Sequence, residues 1–454
     1  MKSFDVIWIG TGQAAGAVIP VLSKGGKKIA IAEGGPFGGS CVNYGCTPTK
    51  TLVASARAAH MAYRGPDYGV TCLNATVDFE AAMNRQKTIR ENGSSGLEAW
   101  LADVDGVELF KNYAQFKDEH RVRVGGEVIS GDTIVIHTGA RARKPNIPGI
   151  DEVDWLDNAR LLDLDERPDH LVIIGGSYIG LEFGQAFRRL GSNVTILEKG
   201  PQLMFREDAD IAETALDILK KEHITVRLNA EITGVAKSRS GVRVDFRNED
   251  SIEGSHLLIG AGRQPNTDAL NLQAAGVGTD KRGHVSVNDY GQTNVPHIFA
   301  LGDVNGQGAF THTSVNDGEV FVDYFMGDGK KKISDRTVIY NMYIDPPLGR
   351  VGMSEKQARQ SGRNVLMRTL PMSGVARAKE KDETDGMIKI LVDADSKEFL
   401  GAAVFGTGGD EIISVIATFM YSRQPYTVFR QAVLPHPTVA EMLPFVLDDL
   451  KPLT

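Results

Sequence analysis

A strand, a glycine-rich turn, a helix, a second strand and a closing acid occur twice in this chain. The first copy spans residues 4–33, with Gly10-Thr11-Gly12-Gln13-Ala14-Ala15 at its turn and Glu33 at its end; the second spans 170–198, with Gly175-Gly176-Ser177-Tyr178-Ile179-Gly180 and Glu198. In both, the acid follows the first glycine by 23 residues, 10 to 33 and 175 to 198. Parallel strands need a long crossover, and a helix launched by glycines supplies it. In such a unit the first glycine makes the tight turn and the second lets backbone approach a pyrophosphate. The third position, Ala15 or Gly180, packs helix on strand, and the acid accepts from a ribose hydroxyl. One glycine triplet is usually no more than a turn. Two with matched spacing predict two dinucleotide sites in an α/β chain built on Rossmann-like units.

Both copies depart from the ideal. Pro20 falls inside the first helix pattern, where a missing N–H is expected to kink or end the helix. Ser177 replaces the middle glycine of the second copy and adds a side chain where the pyrophosphate lies close, so the second nucleotide is expected to sit differently or bind more weakly. Glu198 favours a free 2′-hydroxyl and so NADH, while Lys199 beside it keeps NADPH open.

A few residues past Glu33 comes Gly38-Gly39-Ser40-Cys41-Val42-Asn43-Tyr44-Gly45-Cys46-Thr47-Pro48-Thr49-Lys50. An ideal helix holds residues i and i+5 about 9 Å apart at Cα, beyond disulfide reach. The segment must be a distorted turn if the two cysteines bond. Gly45 suits such a turn, and Pro48 suits a place near the first position of a helix running on through 51–56. Cys46 then lies near the positive end of that helix, where its thiolate is favoured. A structural disulfide and a zinc site are the competing readings. The chain has only three cysteines, the third being Cys72, so there is no disulfide framework, and its ten histidines are scattered rather than grouped at ligand spacing. A redox-active pair beside a bound nucleotide is favoured, with no metal.

A chain of 454 residues, 42% apolar and 24% charged, has room for about three domains. A net charge of −8 supplies no basic patch for nucleic acid or an anionic membrane. There is no apolar stretch of membrane-spanning length and no cleavable leader pattern at the N-terminus, so a soluble cytoplasmic protein is expected. Helical patterns cover 54–63 and 78–103, and a strand at 134–139 leads into a proline-glycine linker at 144–149. Apolar strands follow at 257–263 and 298–304, the latter ending in Gly302-Asp303, which can present a carboxylate to a ligand hydroxyl. A lysine- and glycine-rich boundary lies at 327–335. Beyond it, 387–392 reads as strand and 411–421 as helix. The boundaries expected are 1–150, 151–270, 271–335 and 336–454. Near the end, His436-Pro437-Thr438 precedes Glu441, with Pro437 able to open a helix on which Glu441 orients the imidazole.

These motifs, in this order, resemble the pyridine nucleotide-disulfide oxidoreductases, which include dihydrolipoamide dehydrogenase, glutathione reductase and mercuric reductase. The likeness spans almost the whole chain, most specifically at 38–50, at Ala300-Leu301-Gly302-Asp303-Val304 and at His436 with Glu441. It implies FAD in the first nucleotide site, NAD(P)H in the second, and a C-terminal α+β domain that forms a homodimer in which His436 serves the other subunit's cysteines. By the same resemblance Cys46 faces the flavin, Cys41 meets the substrate, and His436 with Glu441 is the acid/base. Lys50 and Glu182 are the ion pair beside the reactive flavin nitrogen, and Tyr178 covers the nicotinamide pocket. Gly39, Ser40, Ala114, Thr138, Gly139, Asp303 and Thr311 match flavin-side positions, and Gly262 a nicotinamide-side one.

The implied activity is an FAD-dependent oxidoreductase that passes electrons from NAD(P)H through the Cys41-Cys46 disulfide to a small disulfide or electrophilic acceptor. The segments 48–53 and 345–353 look most like the bacterial mercuric-reductase-like branch, which includes hypothiocyanous acid reductases. Mercuric reduction itself is the less favoured alternative, because the tail at 445–454 has no thiol. A redox sensor without turnover is a further alternative, although no DNA-binding module is visible to carry its signal.

Overall fold

The computed structural model describes residues 1–72 and 75–453. Its first sheet is centred on Lys2–Ile9, which pairs in parallel with Ile29–Ala32 on one side and Glu127–Ile136 on the other. Val6, Ile7, Trp8 and Ile9 are all buried, the unbroken apolar run of a parallel strand covered on both faces. The strand Ile298–Ala300, far along the chain, returns to pair in parallel with Glu127–Ile136. The stretch that follows Ile298–Ala300 is thereby delivered to the end of the first glycine turn.

The helix Gln13–Lys24 runs without interruption through Pro20, contrary to expectation. It buries Ala14, Ala15, Val18, Ile19 and Leu22. Its neighbour Thr311–Met326 comes so close that a Cβ on Gly318 would stand 2.7 Å from Val18. Packing of that apolar face offsets the one hydrogen bond the proline removes.

The second glycine turn opens a parallel sheet in the order Thr225–Arg227, Asn193–Leu197, His170–Ile174, His256–Ile259, Trp155–Leu156. A Cβ on Gly180 would meet the Gly175 carbonyl at 2.1 Å, so the third glycine is fixed by helix-on-strand packing, as its spacing predicts. Residues 144–149 are irregular, yet Pro148 accepts from the Val235 N–H at 2.9 Å and Ile147 packs on the core of this second unit.

The last part of the chain forms an antiparallel sheet in which Met387–Asp393 and Phe399–Phe405 are central, covered by Gly409–Tyr421. Helix formation near the end starts later than Pro437 suggests. Residues 436–441 form turns in which Thr438 Oγ1 donates to the Pro435 carbonyl at 2.8 Å and accepts from the Glu441 N–H at 3.1 Å. The helix proper is Met442–Val446, with Glu441 at its N-cap. The hydroxyl of Thr438 captures the N–H that a helix from Pro437 would have needed.

Buried ions tie this sheet to the second nucleotide fold. Arg350, 1% exposed, donates to Glu207 at 2.6 Å and Asp208 at 2.8 Å. Lys389, fully buried, reaches Asp210 at 2.7 Å and Glu355 at 2.9 Å. The carboxylates of Asp208, Asp210 and Glu355 thus converge on an ammonium group. Removing one partner of a buried pair strands the others, so Lys389→Ala is expected to destabilise the protein by about 3 kcal/mol or more, read as a lowered urea or thermal midpoint.

Candidate active site

The helix Cys46–Tyr63 begins at Cys46, with Pro48 near its first position as expected. Pro48 is third, still among the first four residues whose N–H groups have no helical partner. Gly45 is needed for close approach: a Cβ there would lie 2.8 Å from the Ser40 carbonyl. Cys41 sits on the short preceding helix Gly39–Asn43. Both cysteines are free thiols, and Thr311 Oγ1 touches both, at 3.0 Å from Cys41 Sγ and 3.4 Å from Cys46 Sγ.

The pair holds its protons unequally. Hydrogen bonding from Cys41 lowers the Cys46 thiol to about 6 against the opposing effect of burial, and Thr311 and Lys50 add to the lowering. Cys41 moves the other way, raised by its hydrogen bond to Cys46 and by burial. The arrangement is one thiolate, Cys46, with Cys41 as its S–H donor.

Lys50, one turn beyond Cys46, donates to Glu182 at 2.8 Å and stands over the Tyr343 ring at 4.7 Å. Glu182, 3% exposed, also accepts from the Tyr343 N–H at 2.8 Å. Burial opposes the charge on Lys50 but Glu182 prevails, and the ammonium is held above its ordinary value. Asp303 is raised by burial and restrained by Arg263, whose guanidinium lies 3.1 Å from it. Arg263 also reaches the Ala140 carbonyl at 2.7 Å and Ser40 Oγ at 3.3 Å.

One cavity of about 1270 Å³ gathers these groups. Gly10, Gly12, Glu33, Gly39, Ser40, Cys41, Cys46, Lys50, Ala114, Thr138, Gly139, Tyr178, Glu182, Gly262, Asp303 and Thr311 all line it. Ala15 is instead buried in helix packing, and Gly175, Ser177, Gly180 and Glu198 form the second turn outside the cavity. His436 and Glu441 do not line it either. His436 is 71% exposed, with Nδ1 2.9 Å from Glu441 Oε2.

The donor set fits a flavin dinucleotide. At Gly139, φ +65°, no atom lies within 4 Å of where a Cβ would stand, which leaves open floor beside the first turn. Glu33 is aimed there by the Thr11 N–H and hydroxyl, both at 2.8 Å, and retains lone pairs for a ribose. At the second turn Glu198 is held alike by the N–H groups of Gly176 and Gly200, both at 2.7 Å.

Sequence reasoning missed several neighbours. His137, wholly buried and depressed to about 4 by that burial, packs against Gly12, where a Cβ would lie 2.9 Å from its ring; Gly12 therefore also makes room for this imidazole. Its Nε2 lies 2.9 Å from Ser314 Oγ. The bulk and position of His137 could be read from the sequence, but its contact with Gly12 follows only from strand pairing. Phe310, Tyr340 and Tyr343 carry no motif at all.

Known proteins share this fold. Residues 4–318 match the family model described as pyridine nucleotide-disulphide oxidoreductase, and residues 338–445 match the dimerisation domain of the same family. The chain is 35% identical over 453 residues to the probable pyridine nucleotide-disulfide oxidoreductase RclA of Escherichia coli, covering 98% of each. It is 31% identical to a mercuric reductase of Lysinibacillus sphaericus, covering 97% of this chain and 81% of that one. The solved Cu(II) complex of the HOCl-induced flavoprotein disulfide reductase RclA from Escherichia coli superimposes with a TM-score of 0.91 at 34% identity, over 98% of this chain and 99% of that one. Among the described residues no helix is long and apolar enough to cross a membrane.

Because the thiolate of Cys46 forms as pH rises through about 6, alkylation of the reduced protein by iodoacetamide should fall away below that pH at Cys46 and stay slow at Cys41 at neutral pH. Thr311→Val removes a donor to the thiolate and should move the Cys46 midpoint up by about one pH unit, as followed by mass spectrometry across pH.

Proposed function

The chain belongs to the pyridine nucleotide-disulphide oxidoreductase family, and from that premise we propose that it is an NADH-preferring reductase of small thiol-reactive acceptors, acting as a homodimer in the cytoplasm. The observation that carries this reading is the sulfur pair with one thiolate, set in the cavity of the first glycine turn beside the Lys50–Glu182 pair. Residues 1–150 and 271–335 are assigned to flavin binding, 151–270 to the nicotinamide nucleotide and 336–454 to the dimer interface.

Bound FAD and NAD(P)H supply the two-electron chemistry, hydride from the nicotinamide and electrons that open a Cys41–Cys46 disulfide. The remaining work belongs to the chain. Lys50, fixed by Glu182, keeps a positive charge beside the cavity, and Tyr178 covers the nicotinamide side. Cys41 holds its proton in the resting pair, so a base must remove it before this sulfur attacks. His436 of the other subunit fills that role: Glu441 fixes its ring, and its exposure leaves Nε2 free to reach across. Cys41 then bonds to the oxidised atom of the acceptor, His436 returns the proton to the leaving group, and Cys46 thiolate displaces the reduced product from Cys41 while the disulfide re-forms. Two thiols five residues apart make this last step intramolecular.

Disulfides and hypothiocyanous acid fit such an attack. The relative crystallised with Cu(II) adds a thiophilic metal ion to the acceptors worth assaying. NADH consumption measured against lipoamide, glutathione disulfide, hypothiocyanite, Hg(II) and Cu(II) should show turnover with at least one; none at all would leave a redox sensor instead. On two-electron reduction Cys46→Ser should abolish the long-wavelength thiolate-to-flavin band, while Cys41→Ser keeps it, and the reverse would exchange the two sulfurs. Glu198→Ala should cost NADH about tenfold in kcat/KM, the worth of one hydrogen bond, and NADPH less. Equal losses would remove the basis for NADH preference.

A further inference from the structure

Phe310 occupies the N-cap of the helix Thr311–Met326, a position that favours Ser, Thr, Asp or Asn because their side chains satisfy a free N–H. An aromatic there gives up that hydrogen bond and no side chain replaces it; the Thr313 hydroxyl instead accepts from the Phe310 N–H at 3.1 Å and donates to the Phe310 carbonyl at 2.7 Å. A ring placed against the local rule has another use. Phe310 lines the active-site cavity with its ring parallel to two others, His312 at 5.5 Å and 8° and Tyr340 at 5.6 Å and 4°.

Both of these rings are tied to the strand Ile339–Met342, and Tyr340 also to the second nucleotide fold. His312 Nε2 lies 2.7 Å from the Ile339 carbonyl. The Tyr340 hydroxyl donates to Glu207, which also accepts from Arg350 at 2.6 Å. Glu207 belongs to the second nucleotide fold, and Arg350 to the C-terminal sheet. The Phe310 ring meets the ring of Tyr178 at 6.2 Å, tilted by 41°. The next residue in the chain, Thr311, is the one whose hydroxyl touches both sulfurs. A single peptide link therefore separates the ring that packs on the nicotinamide cover from the hydroxyl that holds the thiolate.

We propose that Phe310 is a positioning residue that couples the two sites: when a nicotinamide nucleotide displaces Tyr178, the Phe310 ring shifts along the face of Tyr340 and carries the helix start with Thr311, changing the hydrogen bond that stabilises Cys46. The parallel ring of Tyr340, fixed through Glu207, opposes rotation of the Phe310 ring, so displacement at Tyr178 is delivered to the helix start. Coupling is reciprocal, and the state of the sulfur pair alters nucleotide affinity by the same factor. The inference rests on the roles given above to Tyr178 and Cys46.

The experiment uses the two-electron-reduced holoenzyme and follows the pH midpoint of its long-wavelength band with and without saturating 3-aminopyridine adenine dinucleotide, a nicotinamide mimic that exchanges no hydride. In the wild type the midpoint should move by roughly half a pH unit, a factor of about three in thiolate stability. Phe310→Leu keeps an apolar side chain but no stack, and should bind the mimic while its midpoint stays put. Should that variant lose its flavin, Tyr340→Phe decides: it keeps three rings, frees the one at position 340 from Glu207, and should reduce the shift. An unmoved wild-type midpoint, or a full wild-type shift in the deciding variant, overturns the coupling and leaves the catalytic reading intact. Absence of the band from the wild type sinks the catalytic reading and the coupling with it.

Discussion

A single negative charge shared between two sulfurs organises the rest of the site. Cys46 carries it because four favourable groups converge there: the S–H of Cys41, the hydroxyl of Thr311, the ammonium of Lys50 and the first turn of its own helix. Three of them lie within residues 41–50 and the fourth, Thr311, comes from far along the chain, and burial works against all of them. The rest of the chain serves to bring these donors together. Gly45 must lack a side chain so that the two cysteines turn back on each other, and Glu182 must be buried so that Lys50 stays charged.

The fold meets this demand by a return. The chain leaves the first sheet after Glu127–Ile136, builds the second nucleotide unit, and comes back as Ile298–Ala300 beside the strand it left. That return sets Asp303 against Arg263 and sets Thr311 against the sulfurs. The second unit contributes Tyr178 and Glu182 from one helix, Tyr178–Arg189, whose N-terminus is fixed by the close contact of Gly180 with Gly175. Two nucleotide folds thus face one cavity, each glycine turn holding its acid by backbone N–H groups at 2.7 to 2.8 Å.

Much of this was legible in the chain itself because it was local. The glycine turns, the acids 23 residues on, the thiols, Lys50 and the His436–Glu441 pair all lie within short segments whose spacing reports their geometry. Helices with clear periodicity were legible for the same reason, Asp78 capping Phe79–Ala102 among them. What stayed hidden was either a contest between local and distant forces or a contact between distant elements. Pro20 argues locally for a break, and the buried face of its helix overrules it. Pro437 argues for a helix start, and one threonine hydroxyl postpones it. His137 under Gly12, Arg263 on Asp303 and the ions around Lys389 are made by strand order and domain packing, which no spacing in the sequence encodes.

The exposed end of the chain completes the argument from the opposite direction. An imidazole 71% exposed and gripped by a carboxylate 13% exposed spends orientation on a group that meets nothing in its own cavity. Ordering a surface side chain costs entropy that a free histidine would keep. On the proposed reading that cost would be recovered where a second copy of the chain presents its sulfurs to the free nitrogen. A matched dimerisation domain covers residues 338–445 and so includes His436. On the proposed reading Cys41 takes its base from the other subunit, and His436, hydrogen-bonded to Glu441, is that base. In that reading each half of the site answers a lack in the other, and a dimer would be a condition of the chemistry.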